Sequence, residues 1–152
     1  MGENIYNLNF EEERIYFTPI VLYTDYINLQ FNKYLKENFK NITPRDFTYL
    51  SNVFYHQNIS QRELAELLYV SESNVAQIIK RLENNELIVR VCDANNKSKK
   101  VLNLTEKGKL IVFSVLKDIY EWEASFFDKY DDVDIGKFKR IMYEYSQKSG
   151  YP

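Results

Sequence analysis

A single cysteine, Cys92, leaves this chain without an internal disulfide, which fits a reducing, cytoplasmic setting. Only four glycines are present, so few backbone sites can cradle a phosphate, and neither a phosphate-binding loop nor a nucleophile elbow is spelled. The lone histidine, His56, is not placed to serve Cys92 as a catalytic base, and no enzyme is expected. Metal binding is not expected either. His56 lies on a helix that otherwise builds core, and Asp131-Asp132-x-Asp134-x-Gly136 has the wrong spacing for a calcium loop and lacks its closing glutamate. That acidic run reads as a connector in which Asp134 caps the last helix. No cofactor is implied. No apolar run approaches the ~18 residues of a membrane span, and residues 1–14 lack the basic-then-apolar layout of a signal peptide.

What is present is a strong pattern in residues 60–105. Ser60-x-x-Glu63 is a capping box, so a helix begins at Gln61, with Leu64, Ala65 and Leu68 on one face. Tyr69 and Val70 form a turn, and Ser71 caps a second helix that buries Val75, Ile78, Ile79 and Leu82. The small Ala65 lets the two helices cross closely, as a helix-turn-helix requires. The second helix turns Ser73, Asn74, Gln77, Lys80, Arg81 and Asn84 outward, donors and acceptors suited to base edges and phosphates. By itself such a face is equally a solvated surface. Residues 87–92 and 101–104 then read as β-strands around the loop 93–100, which carries Lys97, Lys99 and Lys100. This wing tip can reach the DNA backbone or minor groove, and with Ser71, Ser73, Asn74, Gln77, Lys80 and Arg81 it completes a candidate DNA-binding set. Thr105 caps the next helix.

These segments carry a resemblance. Residues 42–50 (Ile-Thr-Pro-Arg-Asp-Phe-Thr-Tyr-Leu), Leu64-Ala65, Val70-Ser71, Arg81-Leu82-Glu83 and Leu104-Thr105-Glu106-Lys107-Gly108 resemble the MarR (multiple antibiotic resistance regulator) family of bacterial regulators. The resemblance implies a mainly α fold with a small β-hairpin wing. Residues 43–109 would form the winged helix-turn-helix, and 1–40 and 110–152 a helical dimerisation region, all within one domain. It also implies double-stranded DNA as partner, a homodimer, and a small aromatic or phenolic effector. The family's wing reads Asp-x-x-Asp-Arg-Arg, whereas here the matching places hold Asp93, Asn96, Lys97 and Ser98. The minor-groove arginine is absent, and a lysine lacks its planar fork, so weaker shape readout is expected. Glu86 replaces the family's helix-ending glycine.

Charge supports the layout. The net charge is −2, yet residues 74–109 hold eight Lys/Arg against four acids, leaving a net −6 on the remainder. A basic reading head thus rides on an acidic body. The abundance of Asn, Lys, Ile, Tyr and Phe fits an AT-rich genome.

The flanks are helical and aromatic. A segment over 5–17 is followed at Thr18-Pro19 by a helix reaching Phe39, with Thr18 as N-cap and Pro19 at the first turn. Thr43-Pro44-x-Asp46 opens another helix. Past Thr105 the apolar stripe widens beyond one face, and a last helix covers about 134–148. Helices this apolar need a second copy to cover them, which also supplies two recognition helices for a pseudo-palindromic operator. Tyr23, Tyr26, Ile27, Tyr49 and Phe54 are candidates for an aromatic effector pocket, though each taken singly reads more readily as ordinary core. Cys92 is read as structural rather than redox-sensing. The leading expectation is a homodimeric transcriptional repressor. The alternatives are a winged-helix protein-interaction module without DNA binding, or a redox or ligand sensor acting through a protein partner.

Overall fold

The computed structural model describes residues 12–148, with side chains from residue 15 onward. Within them α1 (Glu12–Phe17) and α2 (Ile20–Asn38) precede α3 (Pro44–Tyr55), α4 (Gln61–Leu67) and α5 (Glu72–Asn84). The hairpin β1 (Ile88–Cys92) and β2 (Lys100–Leu104) follows, then α6 (Glu106–Phe127) and α7 (Asp132–Gln147). The expected mainly helical fold with a hairpin wing is what forms. Of the early segment expected over 5–17, residues 12–17 are helical and 5–11 lie outside the described residues.

Local chemistry sets most helix starts. Ser60 and Glu63 close a reciprocal capping box, and Thr43 and Asp46 close another. Ser71 accepts from the Asn74 amide at 3.3 Å and Thr105 from the Gly108 amide at 3.0 Å. Two expected caps move. Pro19, not Thr18, is the N-cap residue of α2, and its carbonyl accepts from the Leu22 amide at 3.0 Å. Pro19 itself has ψ 137°, outside the helical region, so the helix starts at Ile20 and Thr18 stands one position too early to cap. Asp131, not Asp134, caps α7, accepting from the Asp134 amide at 2.8 Å, so that helix begins at Asp132.

The core runs through the reading head. Leu64, Ala65, Val75, Ile79 and Leu82 of the helix-turn-helix pack with Leu50 and Val53 of α3, Leu35 of α2, Ile88 and Leu102 of the hairpin, and Val112 and Val115 of α6. The strands are antiparallel, pairing Ile88 with Leu104 and Cys92 with Lys100. The outer edge of β2 is tied down as well: the Leu102 amide donates to the Ile59 carbonyl at 2.9 Å, fixing the hairpin to the α3–α4 connection. Between α2 and α6, the Tyr34 hydroxyl donates to the Asp118 carboxylate. Burial, reinforced by that carboxylate, pushes the Tyr34 pKa up to about 12, keeping it a neutral donor.

Three joints use left-handed backbone without glycine, the first at Asn58 (φ 61°) between α3 and α4. Tyr69 has φ 53° in the turn between α4 and α5, and Glu86 has φ 60° after α5. The carbonyls around Glu86 are taken up by the start of α6. Thr105 Oγ1 donates to Glu86 O at 2.6 Å, the Thr105 amide to Leu87 O at 3.1 Å, and Lys107 Nζ to Asn85 O at 2.9 Å. Gly108 lies directly against this junction: a Cβ there would sit 2.1 Å from the Leu87 carbonyl oxygen.

The terminal helices differ from the head. Phe17 is 86% exposed, and Ile20, Leu22, Ile27 and Leu29 stand out along α2. Trp122 and Phe126 of α6 are also exposed, and α7 contains no buried residue at all. No helix among the described residues is long and apolar enough to cross a membrane.

Candidate nucleic-acid interface

Helix α5 advances about 100° per residue, and its contacts divide it into four faces. Val75, Ile78, Ile79 and Leu82 point into the core. Ser73, Gln77, Lys80 and Asn84 fall on the opposite, exposed stripe. Asn74 and Arg81, seven residues and two turns apart, form a flank turned toward the first turn of α3. There Arg45 Nη2 donates to Asn74 Oδ1 at 3.0 Å, and Arg81 forms an ion pair with Asp46. The other flank carries Glu83, held by Arg90 Nε of β1 at 3.4 Å. The recognition helix is therefore gripped from both sides, with one stripe left for a partner.

Asp46 carries the tighter grip. Its side chain is buried, with Thr43 N and Thr43 Oγ1 each donating to Oδ2 at 2.8 Å and Arg81 engaging Oδ1. One carboxylate so caps α3 and anchors α5. Arg81, expected among the DNA-contacting residues, spends its charge on this clamp while its side chain stays 46% exposed.

The wing is ordered by its own side chains. Asp93 Oδ1 accepts from the Asn95 and Asn96 amides at 2.8 Å, and Asn96 Oδ1 accepts from Ser98 N at 3.1 Å and Ser98 Oγ at 2.6 Å. Its three lysines diverge. Lys99 Nζ pairs with Glu63 Oε1 of α4 at 2.9 Å, and Lys100 Nζ lies 3.1 Å from Cys92 Sγ. Lys97 is exposed at the tip and, like Lys80, makes no ion pair or hydrogen bond among the described residues. Cys92 is exposed at the end of β1 and fills no core space, so the reading of it as structural does not rest on packing.

Glu63 has a pH signature. Lys99, then the Ser60 amide and hydroxyl, lower its pKa to about 2 from an ordinary 4.5. A carboxyl lowered on folding contributes stability above its unfolded range and loses it as pH falls through the folded value. Glu63→Gln is expected to lower the melting temperature at neutral pH, and the gap to wild type should shrink steadily as pH falls from 4.5 toward 2. Thermal melts across that range test it; a gap that stays constant in acid contradicts the assignment.

The five pocket candidates do not converge. Tyr49 is buried in the core, and its hydroxyl has no hydrogen-bond partner among the described residues. The Tyr23 hydroxyl donates to Ile15 O at 3.0 Å, and Ile27 is exposed on α2. Tyr26 is half-buried on the same helix. Phe54 lines a hollow of about 500 Å³ between α3 and α6, with Tyr55, Phe113, Leu116 and Tyr120. A second hollow of about 370 Å³ lies between α6 and α7, walled by Phe126, Phe127, Tyr130, Ile135 and Phe138.

Sequence reading missed Arg45, Arg90 and Gln61. Gln61 Oε1 accepts from Arg90 Nη2 at 3.2 Å, bracing β1 against α4. The one available signal was Arg45's place inside Thr43-Pro44-Arg45-Asp46, a helix start, where nothing local reveals what it faces.

Comparison with known proteins agrees with this geometry. A family model described as MarR family matches residues 42–99. An uncharacterized HTH-type transcriptional regulator of Bacillus cereus is 30% identical over 129 residues, covering 85% of this chain and 82% of the relative. A MarR family protein from Bacillus stearothermophilus superposes with a TM-score of 0.72 at 24% identity, covering 84% of this chain and 89% of that one. A structure of S. aureus MepR in complex with DNA gives a TM-score of 0.61 at 19% identity, over 82% of this chain and 89% of that one.

Proposed function

This chain belongs to the MarR family of DNA-binding transcription regulators, and from that premise we propose that it acts as a homodimeric repressor reading a pseudo-palindromic operator. The observation that carries the reading is the outward stripe Ser73, Gln77, Lys80 and Asn84. It is wholly polar, on a helix otherwise fixed on three sides and flanked by a lysine-tipped wing. Ser73 and Gln77 read base edges in the major groove, and Ser71 and Asn74 lie at the helix N-terminus where the backbone approaches the groove. Lys80, Lys97 and Lys100 meet phosphates, while Arg81 and Lys99 hold the helix and wing in place. A second copy covers the apolar terminal helices and sets the two recognition helices about one DNA turn apart. MepR, whose structure superposes on this chain, is itself seen bound to DNA.

The hollow at Phe54, between the head and the terminal helices, is the place for an aromatic effector that loosens DNA by favouring a dimer with altered head spacing.

The test is selection of randomised duplexes at two salt concentrations. Three phosphate-facing lysines per protomer give about six contacts, and affinity should fall about 10³-fold between 50 and 200 mM salt. The expected result is an enriched two-fold motif. Weak retention without any motif, from folded dimeric protein, would favour the protein-interaction module, whose supporting observation is the internal pairing of Arg81 and Lys99.

A further inference from the structure

Arg62, Arg81, Arg90 and Arg140 each pair with a carboxylate. Arg45 is the one arginine among the described side chains that does not. It is exposed on the first turn of α3, and its Nη2 donates to Asn74 Oδ1 at 3.0 Å. An uncompensated guanidinium therefore stands at the start of the recognition helix, bound to a neutral amide.

That bond has a consequence for base reading. A guanidinium can only donate, so the Asn74 atom facing it is the oxygen. The Asn74 backbone amide is also occupied, donating to Ser71 Oγ at 3.3 Å. What remains outward is Nδ2 with its two N–H groups. An asparagine with both ends free pairs with adenine, accepting from N6 and donating to N7. Oδ1 keeps a second lone pair, but the Arg45 guanidinium beside it adds N–H donors where adenine would bring its own N6 donor. The paired side chains thus present mainly donors, which suit guanine, whose edge offers two acceptors, O6 and N7. Adenine would set its N6 amino group against the Asn74 donors.

We propose that Arg45 determines the specificity of Asn74, shifting it from adenine toward guanine by setting guanidinium donors beside its Oδ1. This rests on the DNA-reading role proposed above. Arg45 lies outside the recognition helix and selects the base through Asn74 rather than by touching it.

The experiment is duplex selection with full-length wild type, Arg45→Ala, Arg45→Lys, Asn74→Ala and the double variant Arg45→Ala/Asn74→Ala. The expected result is a guanine at one symmetry-related pair of positions for wild type. Arg45→Ala should shift that pair toward adenine by about tenfold, Arg45→Lys should retain guanine because lysine still donates, and Asn74→Ala should abolish preference there. The double variant should match Asn74→Ala in base preference. Arg45 is exposed, so its variants should keep the wild-type circular dichroism spectrum and melting behaviour. A uniform loss of affinity in Arg45→Ala with the motif unchanged overturns the proposal, as does an adenine in the wild-type position. Enrichment of no motif by wild type overturns the DNA-reading premise and this inference with it. A wild-type motif that Arg45→Ala leaves intact overturns the inference alone.

Discussion

Gly108→Ala is expected to destabilise the protein by about 2–4 kcal/mol and to lower its melting temperature by about 5–12 °C. The sign is opposite to the one helix chemistry alone gives. Alanine is favoured over glycine in a helix interior by about 1 kcal/mol, and Gly108 lies in the first turn of α6. The reason is steric. An added Cβ would lie 2.1 Å from Leu87 O and 3.1 Å from Leu87 C, which are backbone atoms unable to swing away. Relief requires α6 to back off from the α5–β1 junction, and that stretches the bond from the Thr105 amide to Leu87 O at 3.1 Å and from Thr105 Oγ1 to Glu86 O at 2.6 Å. Each lost hydrogen bond adds about 1 kcal/mol to the overpacking cost. Urea and thermal melts check this; a variant as stable as wild type would show that the junction yields freely.

Joint replacement of Trp122 and Ile141 by aspartate is expected to give a folded monomer whose affinity for a two-half-site operator falls more than about 100-fold. Both side chains are 58% exposed in the single chain, so the substitutions leave the monomer's own core intact. In the proposed dimer each would bury a carboxylate against apolar partners, a cost of several kcal/mol per site without a compensating charge. Losing the second recognition helix removes the avidity that linkage supplies, about 10²–10⁴-fold. Sedimentation and operator titration read both effects. A persistent dimer would place the interface elsewhere, and a monomer that binds as tightly as wild type would remove the two-fold reading of the operator.

What was legible in the sequence follows how far its cause reaches along the chain. Ser60, Ser71 and Thr105 cap helices through partners three residues away, and those starts are spelled locally. The core positions of α5 follow from its 3.6-residue period, and all four expected ones are buried. Thr18 and Asp134 misled because each lies within three residues of the position that takes the cap, Pro19 and Asp131, and only the path of the backbone selects between them. The candidate site was legible as a list but not as a division of labour. Arg81 finds Asp46 35 residues back, Lys99 finds Glu63 36 residues back, and Arg45 reaches Asn74 29 residues ahead. No periodicity encodes such pairings. A polar outward residue looks the same whether it is free for a partner or already committed to another helix. The aromatic pocket candidates shared helical spacing, yet spacing does not tell the closed side of α3, where Tyr49 sits, from its open edge at Phe54.

The absence of buried residues in α7 has a consequence for dose. The contacts of α7 with α6, such as Phe138 with Phe127 at 5.9 Å and Lys139 with Glu123 at 3.3 Å, bury none of its residues, so in the proposed dimer the second chain adds to its order in proportion to how much of that chain is present. Dilution then loosens the terminal helices and separates the two heads together, and the melting temperature rises with protein concentration. Operator occupancy inherits the same mass action. At low copy number it climbs more steeply than in simple proportion to the amount of protein, so modest changes in synthesis are amplified before any effector acts.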